Sequence, residues 1–66
     1  SMKNEYYLLV SARTGLPVSS MIRSDMQECA RQAEIKADYL KETINMIRVS
    51  GDIVEIYLVF FPVAKE

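Results

Sequence analysis

Apolar and polar residues alternate at both ends of the chain and follow a helical period in the middle. From Glu5 to Arg13 the even positions, Tyr6, Leu8, Val10 and Ala12, are wholly apolar. The odd positions, Glu5, Tyr7, Leu9, Ser11 and Arg13, are mixed. This run of Tyr, Leu and Val predicts a strand. Arg13-Thr14-Gly15 suits a short hairpin loop, with Gly15 supplying the positive φ such loops need. Leu16 to Ile22 predicts a shorter strand, and Pro17, which cannot donate to a ladder, puts it at a sheet edge.

The middle of the chain predicts a helix. Ser24 suits the N-cap, Gln27 completes a capping box, and Asp25 and Glu28 complement the positive end of the dipole. No Gly, Pro or Val interrupts Asp25 to Thr43. Met26, Ala30, Ala33, Ala37, Leu40 and Ile44 recur at steps of three and four, making one narrow apolar stripe. The alanines within it let the helix lie close against a sheet.

Asn45 to Val49 and Ile53 to Val63 then predict a hairpin about the turn Ser50-Gly51-Asp52. In the last strand the even positions Val54, Ile56, Leu58 and Phe60 are apolar, and the odd ones turn apolar from Tyr57 onward, through Val59 and Phe61. The expected fold class is α+β, a single domain over residues 2–66 with the order β-β-α-β-β. The first and last strands, apolar on both faces, read as central, and the Pro17 and Asn45 strands read as edges. The favoured sheet order is therefore 2-1-4-3, with a right-handed crossover and the helix on one face. A β-α-β-β sheet lacking the Leu16 strand is the alternative.

One helix covers one face. With the even positions packed under it, Tyr7, Leu9, Tyr57, Val59 and Phe61 are left on the other, joined by Met21 and Met46. Such a patch would expose roughly 300 Å², near the upper limit for soluble monomers. A domain this small buries only about 60% of its unfolded surface and gains much from covering more. A homodimer, or an obligate partner, through the open sheet face is the expectation. Ile56 to Phe61 is also an aggregation-prone run, guarded by Glu55, Pro62 and Lys65. A second candidate surface is the outer helix face, where Ile35 and Tyr39 lie one turn apart; the plainer alternative is a pair that only supports the helix.

Composition narrows the chemistry. The chain has 66 residues, half of them hydrophobic, and only two Gly and two Pro, which excludes a disordered tail or a Pro-rich linker. Ser1 ahead of Met2 reads as a cleavage scar, so that the natural product would start at Met2 as a complete small gene product. One Cys and no His leave no internal disulfide, no zinc cluster and no His-assisted nucleophile. A reducing cytoplasm is the simplest compartment. The longest apolar run is too short for a membrane helix, and no secretory leader is visible.

Cys29 reads as a small buried core residue, with a thiol activated by the helix N-terminus as the functional alternative. Gly15 and Gly51 serve turns, and no phosphate-binding glycine pattern exists. Glu34, Asp38 and Glu42 at four-residue spacing read as a solvated helix face relieved by Lys41, ahead of a cation site. Tyr7, Tyr57 and Phe61 with Arg13 and Arg48 offer a single-stranded nucleic-acid alternative. A net charge of −1 and the lack of a glycine- and basic-rich aromatic strand weigh against it.

No catalytic, cofactor-binding or metal-binding residues are assigned. The chain reads as a non-catalytic protein-interaction or regulatory module that self-associates through its open sheet face and meets a partner by the Ile35–Tyr39 helix face or the Arg13–Gly15 turn. Size and composition suggest, by analogy, an inhibitor of a host protein carried by a phage or mobile element. A structural subunit of a larger complex is a further alternative.

Overall fold

Tyr, Leu and Val crowd the segment that becomes β1 (Glu5–Ser11) in the computed structural model, which describes residues 4–19 and 23–63. Ser11 ends the strand by turning the chain. Its Oγ accepts the backbone N–H groups of Arg13 (3.1 Å) and Thr14 (3.3 Å). Gly15, at the expected positive φ of 73°, donates its N–H to the Ser11 carbonyl at 2.8 Å.

The chain then runs back along the outer edge of β1. Ser11 N–H donates to the Leu16 carbonyl (2.9 Å) and Val18 N–H to that of Leu9 (3.0 Å). Further on, Arg23 and Tyr7 exchange both backbone bonds, at 2.7 and 3.0 Å. Among the described residues these are isolated bridges, Val10 with Pro17 and Tyr7 with Arg23, and residues 16–19 form no part of the strand expected over 16–22. Pro17, facing Val10, has no N–H to carry a ladder onward. Residues 20–22, with the candidate Met21, lie outside the described residues, as does Lys65.

Helix α1 (Met26–Leu40) begins one residue later than expected. Asp25, not Ser24, is its N-cap: Oδ1 accepts from Gln27 N–H (3.0 Å) and Glu28 N–H (3.2 Å). It stops at Leu40, short of Thr43, because Lys41 adopts a left-handed conformation (φ 56°, ψ 43°). The N–H groups of Lys41 and Glu42 both return to the Ala37 carbonyl. Cys29, Ala33 and Ala37 form its buried line, with Met26 and Ala30 beside them. Leu40 is exposed, and Ile44 belongs to the next strand.

That strand, β2 (Ile44–Ser50), and β3 (Ile53–Phe60) form the expected hairpin. Gly51 takes φ 64° at the first central position, as a type II′ turn requires. Among the described residues the sheet has three antiparallel strands in the order β1-β2-β3. The fold is thus α+β with one helix on a small sheet, and the expected order 2-1-4-3 is corrected. Leu16 and Val18 bond to Ser11 and Leu9, Arg23 bonds to Tyr7 nearer the other end of β1, and α1 brings the chain back. The chain therefore re-enters the sheet beside the end it left, Ile44 facing Ser11, with Ala12 N–H on the Thr43 carbonyl at 3.0 Å. The site next to β1 goes to the strand that follows the helix, and the more apolar β3 is left at the edge.

Candidate functional site

The sheet has a covered face and an open one. Under α1 lie Tyr7 and Leu9 from β1 and Ile44 and Met46 from β2, packed on Cys29, Ala33 and Ala37. This reverses the expected parity of β1. Tyr7 and Leu9, expected on the open face, are 5% and 3% exposed, and Met46 is fully buried. Shifting a strand's pattern by one residue exchanges its faces.

Hydrogen bonding explains why the mixed parity can be the inner one. Ser11 is buried, but its Oγ donates to Glu42 Oε1 (2.9 Å) while accepting the two turn amides. Arg13 donates to the other Glu42 oxygen at 3.0 Å. Arg13 first, then Ser11, hold the Glu42 carboxyl below its ordinary range. Toward the other end of β1, the Tyr7 phenol donates to Glu5 (3.2 Å), and burial followed by that bond raises its pKa. Its ring packs on Tyr57, with centroids 5.9 Å apart. The Arg48 guanidinium sits 4.2 Å from the Tyr57 centroid and is bonded to Glu55. Polar tips thus reach the rim of the helix layer while the ring bodies fill it.

The open face is built from the opposite positions, in three rungs across the sheet. Tyr6 pairs with Val49 and Val49 with Val54; Leu8 with Ile47 and Ile47 with Ile56; Val10 with Asn45 and Asn45 with Val59. All but Asn45 are apolar or aromatic. Val54 and Ile56 are 66% and 58% exposed, and Tyr6 and Val59 are also exposed. A β-bulge beside Met46 and Ile47 makes Tyr57 the extra residue of β3. The strand therefore changes parity midway: Val54 and Ile56 face out, whereas Phe60 packs against the core.

The five residues expected on one open face are dispersed. Val59 belongs to the open grid. Tyr7 and Leu9 are in the core, Tyr57 joins Tyr7 and Arg48, and Phe61 lies beyond the end of β3. Tyr6, Leu8, Val10, Ile47, Val49, Val54 and Ile56 take their place. Because β3 is apolar at both parities, its sequence gives no sign of the bulge. For β1, both rows are apolar from Tyr6 to Val10, and nothing local in the sequence marks which of them lies under the helix.

On the outer side of α1, Ile35 and Tyr39 are 50% and 80% exposed, next to the Arg31–Glu28 ion pair (2.7 Å). The acidic row divides. Glu42 joins Ser11 and Arg13, whereas Glu34 and Asp38 line a groove with Val59, Phe60, Phe61 and Val63. The proposed nucleic-acid contacts do not assemble on the open face: Tyr7 is buried, and Arg13 and Arg48 are ion-paired. Cys29 is buried, and burial pushes its thiol pKa up, the opposite of an activated thiol. No helix among the described residues is long and apolar enough to cross a membrane. The chain matches no family model, no curated protein and no solved structure with which it was compared.

Proposed function

We propose that the protein is a non-catalytic interaction module that self-associates by stacking the open faces of two sheets. The observation that carries this reading is the three-by-three grid of Tyr6, Leu8, Val10, Asn45, Ile47, Val49, Val54, Ile56 and Val59, with one polar member. Its exposed area is roughly 500 Å², large for so small a chain. Two such grids facing each other would bury about 1,000 Å², the lower bound of a specific interface. Sheets pack face to face about 10 Å apart with interlocking branched side chains, and Val and Ile suit that contact.

The core adds a motive for a second copy. Among the described residues its seven buried apolar side chains include two alanines and a cysteine, so the single domain gains little from burial inside itself. The groups that carry chemistry elsewhere have structural partners: Ser11 with Glu42, Arg13 with Glu42, Arg48 with Glu55.

The test is mass by light scattering over a dilution series, for the wild type and for Ile56→Lys. A wild-type dimer that dissociates on dilution, together with a folded monomeric variant, is the expected result. A monomeric wild type at high concentration, or a variant that remains dimeric, overturns the reading.

A further inference from the structure

The two edges of the sheet are treated differently. The outer edge of β1 is occupied by backbone bonds from Leu16, Val18 and Arg23. The outer edge of β3 carries no such bond among the described residues. An unpaired strand edge is a row of backbone donors and acceptors that another strand can complete. Sequences usually blunt such edges with charges, proline or bulges; here Glu55 and the bulge at Tyr57 protect the first part of β3 and leave Leu58 to Phe60 without such a device.

Beside this edge lies the groove between α1 and the end of β3. Val63 N–H donates to Asp38 Oδ1 at 2.8 Å, which ties the chain beyond β3 to the helix and sets Phe61 and Val63 along the groove wall. Its helix wall carries Glu34 and Asp38. Neither forms an ion pair among the described residues, whereas Glu28, Glu42 and Glu55 each have an arginine. A strand added to β3 would point alternate side chains to the two sides of the sheet. One set continues the apolar open face past Val54, Ile56 and Val59. The other set meets the two carboxylates.

We propose that the free edge of β3 and the adjoining groove take an extended segment of a partner protein as an added strand, one that alternates apolar residues with lysine or arginine. This rests on reading the protein as an interaction module and names the chemistry of what it binds, at an edge that adjoins the self-association face at Val59. Backbone pairing supplies a sequence-independent part of the affinity, and the alternate side chains supply the choice of partner. A second copy of β3 is a poorer occupant: it carries no Lys or Arg, and its Glu55 would bring more negative charge toward Glu34 and Asp38.

The experiment titrates the isotope-labelled full chain, at low salt, with a short synthetic peptide alternating lysine and valine. The same peptide with glutamate in place of lysine is the comparison. Saturable amide shifts along Leu58, Val59, Phe60 and Phe61, with new protection of β3 amides from exchange, are expected. The glutamate peptide should bind at least about tenfold more weakly, given two exposed carboxylates and like-charge repulsion. The double variant Glu34→Gln, Asp38→Asn, which keeps an acceptor for Val63 N–H, should lose about fivefold in affinity for the lysine peptide.

No saturable shift, equal binding of the two peptides, shifts confined to the open face or the β1 edge, or an unaffected double variant each overturns the proposal. Light scattering on the same samples separates the two readings. A monomer that binds the lysine peptide removes self-association and keeps the strand site; a dimer that ignores the peptide does the reverse.

Discussion

The covered and open faces of this sheet invert the usual association of polarity with exposure. Among the described residues the covered face holds Ser11, Arg48 and Glu55 beside its apolar residues, while the paired rows of the open face have only Asn45 to interrupt Val, Ile, Leu and Tyr. The helix does not select the greasier side. It settles where its Cys29–Ala33–Ala37 line can approach large flat partners, and where every polar group underneath finds a hydrogen bond. No buried side-chain polar atom among the described residues lacks one. The apolar row left outside takes no part in the buried core of the single chain.

Deleting side chains from each face is the sharpest way to break that contrast. Ile44, fully buried, should cost about 2–5 kcal/mol on substitution by alanine, at any protein concentration. Ile56→Ala should cost far less in dilute solution and should instead abolish the rise of Tm with concentration expected of a dimer. Thermal unfolding at two concentrations checks both. Equal losses in dilute solution would mean that the open face belongs to the fold after all.

The next largest effect concerns how close the helix lies. Ala33 and Ala37 are fully buried, so a leucine at either has no room and should cost about 1–3 kcal/mol. A leucine at Val54, a smaller enlargement on the open face, should leave monomer stability within about 0.5 kcal/mol. Urea denaturation of the three variants would report it, and a tolerated Ala37→Leu would show that the helix layer is looser than its packing implies.

These contrasts also mark what was legible beforehand. The helix was, because small apolar residues at steps of three and four admit few other arrangements. The last hairpin was, because Ser50-Gly51-Asp52 interrupts two apolar runs with a residue suited to positive φ. That one sheet face would be left apolar was legible from simple coverage by a single helix. Its membership was not. Tyr7 and Leu9 are as apolar as Tyr6 and Leu8, so only the distant partner of Ser11, Glu42, decides the parity. Strand order differs for a related reason: apolarity at both parities predicts a central strand, whereas β3 lies at the edge with Ile53, Val54, Ile56 and Val59 exposed.

A smaller effect strengthens one layer alone. Lys41 holds the left-handed conformation that ends α1, where glycine avoids the Cβ penalty. Lys41→Gly should raise stability by about 0.5–1 kcal/mol, the reduced strain outweighing the added freedom of the unfolded chain. For a domain of this size that is a Tm rise of about 2–8 °C. Because the open face is untouched, the rise should be the same at every protein concentration. A rise that depends on concentration would couple the end of the helix to the interface and blur the separation of the two faces.

The smallest effect depends on pH and sits wholly on the covered side. Arg13, then Ser11, lower the Glu42 pKa in the folded chain, so folding favours its ionised form. A group depressed in this way contributes stability above the ordinary carboxylate pKa, and that contribution disappears as pH falls through the folded value. Glu42→Gln keeps an acceptor for Ser11 but loses the charge that holds Arg13. Wild type should therefore melt above the variant near neutrality, and their two curves should converge on acidification, with added salt narrowing the gap since Arg13 is exposed. Open-face variants should show no such convergence with the wild type. A constant difference between Glu42→Gln and wild type down to acid pH would mean that Glu42 acts through shape, and that the polar network beneath the helix is not what allows Ser11 to be buried there.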